Sequence, residues 1–498
     1  MRVIYIDIDS LRPDHLGCYG YGRPTSPLLD SIAAAGVRFT RYFAGSTPCV
    51  PSRATLFSGR PGIRNGIEAH ENTPAASTFR FAGDARGGPA PTLAAHLSRH
   101  GYHTASISTF ADRHRATWFT LGFQEFHVPS LKGGNEDAPE VNAVAVPWLQ
   151  RNAARDNWFL HVNYWDPHTL YTEPLEYSQR MAAYPAPAWP DAATIARQQG
   201  DIGVRCASTM WGDTPHDGFT KSRTPATMPD GIATRANYEL LMNGYDGAIR
   251  YLDDQLHAVF DAIKAAGVWD DTAILISADH AESFGELGQY IEHGSASTSV
   301  HHVPLIVRWP GLTDAAAGTA REDHLLSSDF APTSAAALGL PIPGGWPGVN
   351  FVDALKNDGP PKQPPLVWSH GLHTRQRAVY DGDWLYIRTY DPGCHTYPPR
   401  MLFHLATDPH ETTDLAGQHY GRVATMDAIL QKWEAEQLAA TGQPDPMRLA
   451  LNDPPKSVTM LESFYIRLER AGRHADALRL RNVRARIANA YAWKDLER

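Results

Sequence analysis

The chain has 498 residues, is 43% hydrophobic and 20% charged, and carries a formal net charge of -9. That balance suits a globular protein with a sizeable core and excludes a surface built to coat nucleic acid or an anionic membrane, so any anion site must be local. The cysteines, at 18, 49, 206 and 394, lack zinc-ribbon or disulfide-framework spacing, and no apolar run approaches the roughly 18 residues of a membrane span.

In chain order, Val3 to Ile8 reads as a buried parallel strand ending in acids, with Asp7 and Asp9 on a shared face. It opens the chain without a basic region or an apolar leader, and the expectation is a cytoplasmic protein. Two carboxylates at a strand end are costly unless a cation or ligand compensates them. Ser26-Pro27 and the apolar residues to Gly36 form a capped helix with a stop. Val37 to Phe43 is the next strand and delivers the chain to Cys49-Val-Pro-Ser-Arg53. There Pro51 suits a first helical turn, and Gly59 marks the end of the helix. Cys49 would sit at the positive end of the helix dipole with Arg53 about one turn on, an anion site with a reactive position at its mouth. The plainer alternative is a buried structural thiol.

The Cys-x-Pro-Ser-Arg core resembles the signature of the type I sulfatases of the alkaline phosphatase superfamily. In that family a maturation enzyme oxidises the cysteine to Cα-formylglycine, whose hydrate is the nucleophile. Asp7-Ile-Asp9-Ser-Leu-Arg-Pro-Asp-His-Leu-Gly also looks like the family's N-terminus, where adjacent acids bind a metal. Here position 10 is Ser. Asp9 matches the first ligand, and Asp7 either supplies the lost oxygen or bonds backbone N–H groups at the strand end.

Farther along, Thr92 to His100 reads as a helix and Tyr102 to Phe110 as a strand ending at Asp112-Arg113-His114. The family's Lys near this point is absent, leaving Arg113 and His114 as candidate substitutes or as solvated surface. Asn157 to His168 is a buried strand with a polar end, and its Asp166-Pro167-His168 resembles the family segment whose His faces the leaving oxygen. Glu173 to Asn237 reads as an irregular rim carrying substrate-contacting loops. Tyr238 to Ala266 has clear helical spacing, with Leu252, Leu256, Val259, Phe260 and Ile263 on one face. Thr272 to Ala278 is then an apolar strand ending in Asp279-His280, which would meet Asp9 at the carboxyl edge of one parallel sheet. Ser277 to Glu282 matches the family's second metal segment with Ala281 in place of Gly. His293 falls where the family places a Lys or His reaching the sulfate.

Lys356 to Pro365 reads as a linker, and Leu366 to Tyr390 as alternating strands. Met401 to Glu411 resembles the family's small C-terminal antiparallel subdomain. From Ser457 an Arg-rich amphipathic stretch, with Leu461, Phe464, Tyr465 and Leu468 on one side, packs on the body or on a second subunit. The expected architecture is α/β: a large mixed, mostly parallel sheet flanked by helices, a small C-terminal antiparallel sheet and a helical tail. The expected divisions are a catalytic domain over 1–360, an α+β subdomain over 361–450 and the tail over 451–498.

The resemblance implies hydrolysis of a sulfate ester, with a small sulfated saccharide as substrate and a formylglycine-generating or radical maturation enzyme as partner. No nucleic acid or membrane partner is expected, and a homo-oligomer is compatible. One hydroxyl of a hydrated formylglycine at 49 attacks sulfur, and His168 or His293 protonates the leaving oxygen. His114 takes a proton from the second hydroxyl, so that sulfate leaves and the aldehyde returns. Asp9, Asp279, His280 and the oxygen on Cys49, with Asp7 as a further candidate, would hold one divalent metal. All-oxygen ligation favours Ca²⁺, and His280 admits Mn²⁺ or Zn²⁺. Arg53 neutralises sulfate charge. Two alternatives stay open. One is a phosphonate monoester or phosphodiester hydrolase of the same superfamily, some of which use a formylglycine and an Asp-His metal pair. The other is a catalytically silent binding protein with an unmodified Cys49.

Overall fold

A computed structural model describes residues 1–70, 78–81, 90–210, 225–452 and 461–482. Its main strands are β1 (Arg2–Ile8), β2 (Val37–Phe39), β5 (His103–Ile107), β6 (Glu125–His127), β7 (Trp158–Tyr164), β8 (Thr272–Ser277), β11 (Leu305–Arg308) and β12 (Thr319–Arg321). They form one eight-stranded sheet in the order β12-β2-β11-β8-β1-β7-β5-β6. All neighbours are parallel except β11, which runs antiparallel to β8 and β2. The central strands are buried on both faces, as their continuous apolar runs require.

Register places the site. Asp7 lies opposite Ser277 in β8 and Asn163 in β7. Asp9 and Asp279 each follow their paired residue by two positions, so the two acids emerge side by side at the carboxyl edge. The helix Arg235–Ala265 packs against the helices Ala138–Asn152 and Leu175–Met181. It begins a turn earlier than its apolar spacing suggests because Thr234 accepts from the Asn237 backbone N–H.

Three expectations change. The rim after Glu173 contains the short helices Leu175–Met181 and Ala192–Gln198, the second capped by Asp191 accepting from the Thr194 N–H; residues 211–224 of that rim lie outside the described residues. The expected strand Tyr102 to Phe110 ends at Ile107, and Phe110–His114 is a helical turn that presents Arg113 and His114. The expected strand Val37 to Phe43 divides into β2 and β3 (Tyr42–Phe43), and β3 pairs with β13 (Leu325–Leu326).

A separate five-stranded sheet contains β14 (Leu366–Gly371), β15 (Arg375–Tyr380), β16 (Trp384–Asp391) and β17 (Arg400–His404), antiparallel in sequence. Its fifth member is β4 (Ser46–Thr47), which joins the edge of β14 in parallel immediately before Cys49. Trp368, Tyr380, Ile387 and Phe403 pack from one face with Phe43 and Ala296, and Val367, Val379 and Tyr386 pack from the other with Val423, Met426 and Leu430. The last three belong to a helix, Tyr420–Thr441, that apolar spacing did not reveal. Its buried face turns polar, with Glu434 bonded to the fully buried Arg377 at 2.7 Å. In the tail helix Leu461–Arg470, Phe464 and Leu468 are buried against Ile202, Val204 and Cys394, so this stretch packs on the body. The remaining pair, β9 (Ser283–Phe284) and β10 (Tyr290–Glu292), forms a two-stranded ribbon beside the site. No helix among the described residues is long and apolar enough to cross a membrane.

The small sheet lies close against the backbone of Glu68 and Ala69 at Gly371, where an added Cβ would lie 1.9 Å from the Glu68 carbonyl oxygen. Since the obstacle is backbone, Gly371→Ala should destabilise the fold by about 2–3 kcal/mol, read as a lower midpoint in urea denaturation.

Candidate active site

Cys49 is the first residue of the helix Cys49–Ser58, every residue of which is buried. The helix ends at Gly59, whose φ of 60° is left-handed. Its approach is held by Thr47. The His301 Nδ1–H donates to the Ala44 carbonyl at 2.7 Å, so His301 Nε2 accepts from the Thr47 hydroxyl at 2.9 Å. That hydroxyl in turn accepts from His370 Nδ1 at 2.9 Å.

One turn on, Arg53 is 1% exposed and touches three carboxylates from two strand ends. Its Nε donates to Asp7 at 2.7 Å, Nη1 to Asp279 at 2.7 Å, and Nη1 and Nη2 both to Asp9 at 3.2 Å. Phe110 lies under the guanidinium, 4.7 Å from it. Asp7 also meets His161 Nε2 at 3.1 Å. Arg53 and His161 both bond Asp7 Oδ2, while Oδ1 is buried without a hydrogen-bond partner among the described residues. Asp7 stands outside the four-residue group of Asp9, Cys49, Asp279 and His280.

The donor atoms of those four buried residues all lie within 4.8 Å of one another. The His280 Nδ1–H donates to the Ala281 carbonyl at 3.0 Å. Its Nε2 therefore presents a lone pair, 3.1 Å from Cys49 Sγ, 3.4 Å from Asp279 and 3.7 Å from Asp9. Burial alone would raise the Asp9 carboxyl, but His168, Arg53 and His280 outweigh it and hold it low. Burial pushes Asp279 up to about 7, with Arg53 opposing and Asp9 adding to the rise. Burial, then Asp9 and Asp279, push the Cys49 thiol up. Two carboxylate oxygens, an imidazole lone pair and residue 49 fit a divalent cation, which would relieve the charge that one guanidinium leaves uncompensated.

Other histidines surround Cys49. Donor atoms of Cys49, His168 and His293 lie within 4.8 Å of one another, as do those of Cys49, His70 and His114. The His168 Nδ1–H donates to the Thr169 carbonyl at 2.6 Å, leaving Nε2 an acceptor, and burial pushes its pKa down to about 3. His293 stands 3.4 Å from Glu282 and 3.5 Å from Glu292, with a carboxylate facing each ring nitrogen. Burial, then Arg113, hold His114 well below the ordinary imidazole range. Arg113 stacks on Trp165 at 4.8 Å while Nη1 donates to the Gly133 and Gly134 carbonyls. All the expected site residues except Asp7 thus gather around Cys49. His70, Glu292 and His373, also present here, went unread: none belongs to a motif, and His373 arrives from the small sheet. A cavity of about 290 Å³ adjoins His168 and is lined by Trp165, Asp166, Thr169 and Asn135.

The family model for sulfatases matches residues 2–340. The chain belongs to the sulfatase family. Membership makes it a sulfuric-ester hydrolase, and the family in general uses a divalent metal and a formylglycine. The chain is 24% identical to iduronate 2-sulfatase of Mus musculus over 432 residues, covering 72% of each protein. Its fold is similar to that of a protein solved with its substrate D-glucosamine-2-N,6-O-disulfate, with a TM-score of 0.70, 18% identity and coverage of 90% and 99%. It is also similar to the phosphonate monoester hydrolase of Agrobacterium radiobacter, with a TM-score of 0.67, 22% identity and coverage of 88% and 96%. A large mixed sheet with a small antiparallel one is the alkaline phosphatase-like architecture of these sulfatase and phosphonate hydrolase structures.

If Arg53 compensates these buried acids, Arg53→Ala should cost metal-free protein about 3–5 kcal/mol in urea denaturation. Added divalent metal should recover part of the loss, because a bound cation offsets the same carboxylates. An unchanged midpoint would mean that the acids are not ionised in the folded protein.

Proposed function

We propose that this sulfatase removes sulfate from a small sulfated saccharide, using Cys49 converted to formylglycine and one divalent metal. The observation that carries the reading is Cys49 Sγ at the head of a buried helix, 3.1 Å from the His280 lone pair and beside Asp9 and Asp279. Asp9, Asp279 and His280 would hold the cation together with residue 49, and the cation supplies Lewis acidity toward sulfuryl oxygens. The carboxylates suit Ca²⁺, while the imidazole shifts the set toward Mn²⁺ or Zn²⁺. Oxidised and hydrated, position 49 supplies two hydroxyls on one carbon, one to attack sulfur and one whose deprotonation expels sulfate.

The remaining work falls to this chain's own side chains. His293, which faces the ionised Glu292 at 3.5 Å, is the favoured proton donor to the leaving oxygen; burial pushes Glu282, facing its other ring nitrogen, up to about 8. His168, with Nε2 an acceptor, receives a hydrogen bond from the substrate alcohol. His114, depressed and therefore neutral, accepts the proton of the second hydroxyl. The N-terminal amides of the Cys49–Ser58 helix bear on the sulfate charge, while Arg53, whose N–H groups are taken up by Asp7, Asp9 and Asp279, holds the acids in place rather than the sulfate. The saccharide reading draws on the names of the relatives, two of which specify sugar sulfates, and on the sugar-sized cavity beside His168 with Trp165 in its wall.

A second reading, phosphonate monoester hydrolysis, is favoured by the Asp279-His280 pair and by the Agrobacterium likeness. Protein from a host with the maturation enzyme should show the peptide bearing residue 49 lighter by about 18 Da, the mass change of a covalent Cys oxidation. It should hydrolyse 4-nitrophenyl sulfate with a higher kcat/KM than 4-nitrophenyl phenylphosphonate. Faster phosphonate turnover would replace the first reading with the second, and an intact thiol throughout would favour a silent binding protein.

A further inference from the structure

The turn between β14 and β15, Leu372-His373-Thr374, reaches from the small sheet onto the segment that carries His293. Thr374 Oγ1 donates to the Gly294 carbonyl at 3.1 Å. The Ala296 N–H donates to Gln376 Oε1 at 2.8 Å, and Trp368 Nε1 donates to the Ala296 carbonyl at 3.0 Å. An added Cβ on Gly294 would come within 3.3 Å of the His373 ring, so the turn lies flat against this backbone.

Within that interface the Glu292 carboxylate is shared. Its Oε1 accepts from the His293 backbone N–H at 3.0 Å and stands 3.5 Å from His293 Nε2. Its Oε2 stands 3.3 Å from His373 Nε2 and 3.6 Å from Arg205 Nε. Glu292, His293 and His373 are all buried, so water does not substitute readily for a lost partner. Burial by itself would raise the Glu292 carboxyl, but His373 first and His293 next keep it well below the usual range. Without His373, Oε2 keeps, among the described residues, the longer contact to Arg205, which comes from the rim. The carboxylate could then rotate toward Arg205 and away from the His293 ring.

We propose that His373 is a positioning residue for the leaving-group acid: through Glu292 it sets the orientation of His293, so the small sheet takes part in the chemistry. This rests on the reading of His293 as the proton donor. A misaligned acid matters only when the leaving oxygen needs a proton, and that separates positioning from a merely structural role. The phenolate of 4-nitrophenyl sulfate leaves without one, whereas the alkoxide of a sugar 6-sulfate does not.

The test is steady-state kinetics of the full-length, matured protein and its variants on 4-nitrophenyl sulfate and on glucosamine 6-sulfate. His373→Ala should lower kcat on the sugar sulfate about 10- to 100-fold with little change in KM. On the aryl ester its kcat should change by less than about threefold. His373→Gln, which keeps an N–H within reach of Glu292, should restore most of the sugar-sulfate rate. Glu292→Gln supplies the same comparison should His373→Ala fold poorly, and it should show the same selective loss. Equal losses on both esters, or none on the sugar sulfate, would overturn the assignment of His373. Wild-type protein that turns over neither ester would instead overturn the sulfatase chemistry on which it rests.

Discussion

Three carboxylates, Asp7, Asp9 and Asp279, are buried at one edge of the main sheet against a single guanidinium. Removing an ion from water costs several kcal/mol, and one positive charge cannot offset three negative ones. Arg53 divides its bonds among all three, with Asp279 pushed toward neutrality and Asp9 kept low. Such an arrangement is poor for stability and suited to receiving a cation. The rest of the site follows from where that charge sits. The Cys49–Ser58 helix delivers Arg53 into the acids and sets residue 49 one turn away, facing the lone pair of His280.

The small sheet is tied into this arrangement at three points. Its edge strand β4 leads directly into Cys49, and Thr47 within it is fixed between His301 and His370. Its Gly371 carbonyl accepts from the His70 N–H at 2.8 Å beside the His114 side of the site. Its β14–β15 turn lies on the His293 segment. A wedge attached this way gives the reacting groups a rigid second wall, which loops alone would not provide. The buried Arg377, bonded to Glu434 and Asp445, anchors the helix behind that wall.

Much of this was legible in the sequence because strand ends carry local signals. The apolar runs of β1, β7 and β8 end in Asp9, the Asp166 to His168 segment and Asp279-His280, and parallel pairing brings such ends together. Cys49 and Arg53 were readable from their spacing on a helix with a Pro near its start and a Gly at its end. Asp7 was ambiguous, since its role depends on Arg53 and His161, which lie far off in the chain. His70, Glu292 and His373 were silent for a related reason: each is defined by the docking of the small sheet, a tertiary event without local periodicity. The helix Tyr420–Thr441 escaped notice because Asp427, Glu434 and Gln437 occupy its buried face and erase the apolar stripe. The short helices of the rim rest on single caps such as Asp191 rather than on an amphipathic pattern.

The central claim is that residue 49 and a metal share one site built from strands distant in sequence. A crystal of matured protein measured for anomalous scattering tests it most directly. The account predicts one cation bonded to Asp9, Asp279 and His280 Nε2, with an oxygen rather than sulfur on residue 49 completing the set. Active crystals with an intact Cys49 thiol, or with the cation bound away from these side chains, would contradict it.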